Sequence, residues 1–406
     1  MNQILTARWV LPITSAPIPH GYVCISKGVI REVGAKANLA AGARVVDLGD
    51  VVLMPGLINT HTHLELACYA GAIAPQPLWT WLGQLIQLRN APGREAREQN
   101  AVIEGAWQSL RAGVTTVADI SRTGDACRAL AQVPIRKVCF VELLSLALQP
   151  PRDVTELRRA IEEAQNACHD PLLCVGVSPH APYTVYRDDF HAACKLADAH
   201  GGIPWTAHFA ETREEVRWLC GDAAAIPEPL GGLMRAKELH SPRLVRAVDY
   251  LRWPGSNPRR GIFAHCNYVS TDELIDLAGS TVVYCPRAHS FFGHDPHPFR
   301  AMMDAGINVT LGTDSLASNQ SLSLLDEARY VKRLPEPPCD KKLLEMISVD
   351  AARALGRTDL GSLEIGKIAD LVAFPIASLA QGPYASVLSA ERADRVWISG
   401  EEIAME

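Results

Sequence analysis

The chain has 406 residues, is 48% hydrophobic and carries a formal net charge of -6. That length describes one large unit or two unequal ones, since domains commonly run ~100–200 residues and barrels ~250. The acidic balance, with no Lys/Arg cluster of the kind that follows phosphates, argues against a nucleic-acid partner. Eleven cysteines stand singly without a CxxC pair, which fits reduced, mostly buried thiols better than a disulfide framework or a cysteine-built zinc knuckle. The first residues, MNQILTARWVLPITSAP, contain no basic stretch followed by a long apolar run. The apolar segment 138–148 is interrupted by Glu142 and is too short to span a bilayer. A cytoplasmic location and no membrane partner are therefore expected.

In chain order, the first fifty residues read as short alternating strands with turn signals, as in 22–26, Lys27-Gly28 and 29–33. From there the rhythm changes. Apolar, β-branched runs at 52–59, 114–120, 138–144, 173–178, 203–208, 261–265, 281–285 and 307–312 alternate with stretches rich in Ala, Leu, Glu and Arg. Helices are expected at 95–111, 154–168 and 188–200, the last stopped by Gly201-Gly202. Such alternation means parallel βα units, and eight runs are the number that a closed (β/α) barrel needs. The end returns to the character of the start at 370–374 and 395–398, with Gly366-Lys367 and Ser399-Gly400 as turns. The expected fold class is thus α/β: a distorted (β/α)8 TIM barrel over 55–361, beside a small composite β-sandwich built from 1–54 and 362–406. Two separate edge hairpins are the blander alternative for the ends. No internal repeat or low-complexity tract is visible, and the proline patches at 150–151 and 335–338 read as loops.

In a (β/α) barrel the reactive side chains come from the C-terminal ends of the strands. Here those ends carry histidine and acid repeatedly. The first run leads into His61 and His63, which are two apart and so point to one side of a strand. The fifth ends at His208, followed three residues on by Glu211; the sixth ends at His265; the eighth runs into Gly312-Thr313-Asp314. Each piece alone is weak: an HxH pair is more often coincidence, a lone histidine after a strand is usually a hydrogen-bonded core residue, and GTD is a common turn. Together they offer nitrogens and a carboxylate to one mouth, with an open position for water.

At this point the sequence resembles the amidohydrolase superfamily, in its hydrolytic deaminase and chlorohydrolase branch. The resemblance covers nearly the whole chain and rests on PGLINTHTH at 55–63, HFAE at 208–211, His265 in FAHCN, LGTDS at 311–315 and GSLEIGKIADLVAF at 361–374. It implies that His61, His63, His208 and Asp314 bind one divalent metal, that Glu211 shuttles protons, and that His265 polarises or orients water and substrate. Zinc is the expected ion, with iron and manganese as alternatives. Such an ion brings the pKa of water to about 7, and Asp314 can accept a proton from it. Glu211 then protonates a ring nitrogen of an amidine-like substrate, and ammonia leaves. A solvated acid opening a helix is the bland alternative for Glu211. The ends of the third and fourth runs, FVELL and GVSPH, offer no lysine of the kind that bridges two metals in other branches, which favours a single ion. Neither HExxH nor HxE…PCxxC is present. Glu142 is read as structural.

The SPHAPYT segment resembles that of nucleoside deaminases in this branch and makes His180 either a substrate contact or a supporting histidine. Trp79 and Trp81 either stack on a base or pack a lid. The segment Cys285-Pro286-Arg287-Ala288-His289 is similar to a loop of aminodeoxyfutalosine and adenosine-type deaminases that borders the ribose, though relatives often carry asparagine where His289 stands. Arg287 suits either a substrate carboxylate or a structural ion pair. The expected function is deamination of an adenine-type nucleoside: aminodeoxyfutalosine, adenosine, methylthioadenosine or S-adenosylhomocysteine. The alternatives are a guanine or triazine-type deaminase or chlorohydrolase and, from another class, a non-catalytic barrel scaffold. A homodimer is compatible with the resemblance.

Overall fold

A computed structural model describes residues 3–35, 44–146, 153–167, 170–252 and 261–405. Its strands in chain order are β1 Gln3–Val10, β2 Ile18–Ser26, β3 Val29–Ala35, β4 Arg44–Asp47, β5 Val51–Pro55, β6 Leu57–Thr62, β7 Val114–Ser121 and β8 Arg136–Leu143. There follow β9 Leu173–Pro179, β10 Trp205–Phe209, β11 Gly261–His265, β12 Thr281–Tyr284, β13 Asn308–Leu311, β14 Leu371–Pro375, β15 Arg395–Ile398 and β16 Glu401–Glu402.

Strands β6 to β13 pair in sequence order, all parallel. The ring closes between its first and last members. Thr62 bridges Asp314, Thr60 Oγ1 meets Thr310 Oγ1 at 2.8 Å, and Asn59 Nδ2 donates to Thr313 Oγ1 at 2.7 Å. The strands are covered on both faces because helices lie outside while side chains fill the inside; β7 and β8 are buried at every position. Ile58, Ala118, Ile120, Phe140, Ile262 and Val283 pack together. Outside, the helix Arg94–Arg111 turns Ala101, Val102, Ala106 and Leu110 inward, an apolar stripe of helical period on an otherwise charged segment.

The two chain ends form one sheet in the order β16-β15-β14-β5-β1-β2-β3, with β4 also paired to β1. Leu5, Val23, Ile25, Leu53, Leu371 and Trp397 fill one side of it. The run at 52–59, expected as a single strand, is two: β5 belongs to this sheet and β6 to the barrel. Gly56 is the joint. A Cβ there would sit 2.0 Å from Thr115 Oγ1, so only glycine lets the chain pass from one sheet to the other. A buried ion pair ties the units together, Arg136 at the start of β8 donating to both oxygens of Asp370 at 2.7 and 3.1 Å. The three helices expected from the sequence lie at Arg94–Arg111, Val154–Ala167 and Arg187–Ala199. The prolines at 150–151 lie outside the described residues, and 335–338 forms no helix or strand. Among the described residues no helix is long and apolar enough to cross a membrane.

Candidate active site

The ends of β6, β10 and β11 and the turn after β13 bring four imidazoles and a carboxylate together. His61 is buried, its ring 4.9 Å from that of His63, 5.0 Å from His208 and 5.5 Å from His265. His63 Nε2 lies 3.3 Å from His208 Nε2 and 3.8 Å from Asp314 Oδ1. The ligand atoms of His61, His208 and His265 are within 4.8 Å of one another, as are those of His61, His63 and Asp314.

These donors fit a divalent metal ion. Both ring nitrogens of His61 are buried without a hydrogen-bond partner among the described residues, which is costly unless something else engages them. The His180 carbonyl stands 3.0 Å from His208 Nδ1, so Nδ1 carries the proton and Nε2 presents a lone pair to the centre, the usual support for a metal-binding histidine. Burial holds His61, His63 and His265 well below the ordinary imidazole range and His208 down to about 4, so all four rings are neutral and able to act as ligands. For Asp314, burial outweighs hydrogen bonds from Ser318 and the Ser315 backbone and raises its carboxyl to about 6. Ser318 Oγ donates to its Oδ2 at 3.0 Å.

The local backbone is strained where these groups are aimed. Ala210, His265, Cys266 and Asp314 all have left-handed φ, between 48° and 72°, at the ends of three strands. The surroundings hold them there. The backbone N–H of Asp314 donates to the His61 carbonyl at 3.1 Å. A Cβ on Gly312 would come within 2.9 Å of that same carbonyl oxygen, so the close approach of β13 to His61 requires glycine.

Glu211 follows β10 and is buried, its Oε1 3.5 Å from His265 Nε2. Burial, then the charges of Asp314 and Glu215, raises its carboxyl well above the usual range. Its turn is fixed by Glu215, which accepts the N–H groups of Ala210 and Glu211, each at 2.9 Å. Asn267 Nδ2 donates to the Glu211 carbonyl at 2.9 Å. The sequence reading missed Glu215 and Asn267. For Glu215 a signal existed, since Thr212-Arg213-Glu214-Glu215 has the capping-box spacing at a helix start, and Thr212 Oγ1 does accept from Glu215 N at 3.1 Å. Asp119 was missed as well; it lies near the end of β7 and accepts from Leu64 N at 2.8 Å, pinning the segment after His63.

His63, His208, His265, Glu211 and Asp314 all line a cavity of about 600 Å³. His180 and Trp81 also line it, whereas Trp79, Arg287 and His289 do not. His180 Nδ1 sits 2.7 Å from Thr184 Oγ1, which already donates to the Ala181 carbonyl at 3.1 Å; His180 is therefore the donor, and its Nε2 is a bare acceptor. Trp81 Nε1 donates to the Ala317 carbonyl at 3.1 Å, while Trp79 packs edge-on against Tyr183 at 5.0 Å. Arg287 is 3.6 Å from Asp326 and donates to Gln320 at 3.4 Å. His289 packs among Tyr284, His294 and His297. Glu142, read as structural, lines the cavity 3.9 Å from His180 Nε2, and burial raises its carboxyl to about 7.

The chain is similar to several known proteins. A 5-methylthioadenosine/S-adenosylhomocysteine deaminase of Pyrococcus furiosus is 29% identical over 364 residues, covering 86% of this chain and 80% of that protein. A 5'-deoxyadenosine deaminase of Methanopyrus kandleri is 30% identical over 341 residues, covering 80% of this chain and 74% of the relative. Among solved structures, a zinc-bound adenosine deaminase of Xanthomonas campestris superposes with a TM-score of 0.83 at 27% identity, over 98% of this chain and 92% of the other. The sequence pattern of the Amidohydrolase family matches residues 52–403, and the chain belongs to that family.

Proposed function

We propose that this protein is a divalent-metal-dependent hydrolytic deaminase of an adenine-type nucleoside, with zinc as the ion. The observation that carries this reading is the clustering of His61, whose two ring nitrogens have no partner among the described residues, with His63, His208 and Asp314 at the barrel mouth, beside the buried Glu211. Resemblance to deaminases of adenine nucleosides supports the substrate class. In this reading 55–361 is the catalytic unit, and 1–54 with 362–406 is the supporting one.

His61, His63, His208 and Asp314 would hold the ion. When bound, it supplies Lewis acidity, enough to bring the pKa of an attacking water to about 7. The residues of the chain do the rest. Asp314, its carboxyl raised to about 6 by burial, takes a proton at Oδ1 while Ser318 keeps Oδ2 engaged. Burial and the neighbouring acids Asp314 and Glu215 raise the Glu211 carboxyl, which favours its protonated form as the donor to a ring nitrogen next to the carbon under attack. His265, 3.5 Å from Glu211, orients the water and the developing tetrahedral carbon. His180 offers Nε2 as an acceptor to a sugar or base N–H or O–H group. Trp81, Leu82 and Leu85 cover the cavity side and exclude bulk water.

The test separates binding from proton transfer. Replacing Glu211 by Gln keeps the shape and should leave metal content near wild type while turnover falls by about 10²- to 10⁴-fold. Preserved turnover would remove Glu211 from the mechanism.

A further inference from the structure

His265 stands on a turn that the barrel ladder does not hold. Pairing of β11 with β12 runs from Ile262 opposite Thr281 to Ala264 opposite Val283 and ends there, and the next two residues, His265 and Cys266, take left-handed φ of 72° and 52°. Residues with a Cβ disfavour that conformation, so the turn is held by its surroundings. On one side are β10 and the turn carrying Glu211: Cys266 N donates to the Phe209 carbonyl at 2.9 Å and Tyr268 N to the Ala210 carbonyl at 3.0 Å. On the other is the segment His294-Asp295-Pro296-His297, between the helices Pro286–Phe292 and Phe299–Asp304. Asp295 N donates to Tyr268 Oη at 3.4 Å, that hydroxyl lies 3.3 Å from His294 Nδ1, and His297 Nε2 lies 2.7 Å from the His265 carbonyl oxygen.

The last contact is directional. A carbonyl oxygen only accepts, so His297 donates through Nε2, and its Nδ1 is buried without a partner among the described residues. Burial lowers the ring to about 4, which leaves it neutral with this one N–H. Packing sets the ring plane: it lies flat on Tyr284 at 4.1 Å and 22°, with His289 edge-on at 5.7 Å. His297 does not line the cavity, so it makes no contact with substrate there. We propose that His297 is a positioning residue: its N–H fixes the His265 carbonyl and, through the strained turn, aims the His265 imidazole at Glu211, 3.5 Å away, and at the substrate. The inference rests on the deaminase reading, in which His265 orients the water and the tetrahedral carbon. Without this hydrogen bond a buried carbonyl is left unpaired and the turn is free to relax; misplacing a catalytic group by ~1 Å can cost about 10²-fold in rate.

Three variants of the metal-loaded protein test this with methylthioadenosine. His297→Phe keeps the stack on Tyr284 and removes the donor; kcat should fall about 10- to 100-fold with KM changed less than about twofold, and bound metal should equal that of wild type. His297→Gln ends in an N–H where Nε2 stood and should recover most of kcat, whereas His297→Asn, whose amide reaches only the Nδ1 position, should not. Wild-type kcat in His297→Phe overturns the proposal, as does loss of metal in step with activity. Where His297→Phe does not fold, equal kcat in His297→Gln and His297→Asn overturns it. A readout free of substrate comes from crystal structures of the metal-loaded variants. The His265 ring should be displaced from Glu211 in His297→Asn and stand at the wild-type separation in His297→Gln; an unmoved ring in both overturns the proposal. Ammonia release by the wild type from no adenine nucleoside would overturn the deaminase reading instead, and the displacement of the His265 ring would then decide the role of His297 alone.

Discussion

Glu215 shows how a residue away from the reaction can control it. Its two oxygens fix the N–H groups of Ala210 and Glu211 and so aim the proton donor. Shortening it to Ala leaves both N–H groups unpaired in a buried turn, at a cost of about 1–3 kcal/mol each, and should reduce kcat more than it raises KM. An unaltered kcat would mean that the turn holds without it. Asp314→Asn should sharply reduce turnover, and unaltered activity would contradict its proposed contact with the water. Glu327 provides a pH test away from the centre. It is fully buried, accepts from Asn319 and the Arg287 N–H at 2.7 and 3.0 Å, and burial raises its carboxyl from 4.5 to about 8. The folded state therefore binds a proton that the unfolded chain releases, so the contribution of Glu327 is present below pH 4.5 and is lost as pH rises to about 8. Glu327→Gln does not titrate, and its destabilisation relative to wild type should shrink between pH 5 and pH 8 in denaturant titrations. A gap that widens would reverse the sign. The candidate ligands His61, His63, His208 and Asp314, and the neighbouring His265, were legible because strand-end position and residue type coincide in them. Glu215 and Asn267 were not, because their roles depend on contacts made across loops.

At the scale of elements, periodicity located all eight barrel strands to within a few residues, and the helix at 95–111 appears as Arg94–Arg111. The error at 52–59 has a physical cause. The run is interrupted by Pro55-Gly56, a turn signal obscured by the apolar residues that flank it on both sides, and Gly56 has no Cβ to meet Thr115. Gly56→Ala should thus destabilise the protein by roughly 1–3 kcal/mol through overpacking and should be rescued in part by Thr115→Ala, read by thermal or denaturant unfolding. Independent, additive effects of the two substitutions would show that the strain is relieved elsewhere. Trp79, Arg287 and His289 stand on the helices Leu78–Arg89 and Pro286–Phe292, and residue type alone did not show that their faces turn to the packing and not to the cavity.

For the whole molecule, the barrel supplies a mouth built from distant segments and the sheet of the two chain ends is fastened to its other side. Arg136 and Asp370 make that connection while buried, and removing one partner of such a pair costs about 3–5 kcal/mol because the other charge is stranded. The pairing of the ends was visible in sequence as matching β character at 22–33 and 370–398; the strand order and this ion pair were not, because they join residues 234 apart. The measurement that reaches the central claim most directly is ammonia release by the metal-loaded protein from adenosine, methylthioadenosine, S-adenosylhomocysteine, aminodeoxyfutalosine, guanine and a chlorotriazine. Release confined to the adenine nucleosides, abolished by chelation and restored by zinc, is the predicted result. Silence on those nucleosides with turnover of guanine or the triazine would contradict it.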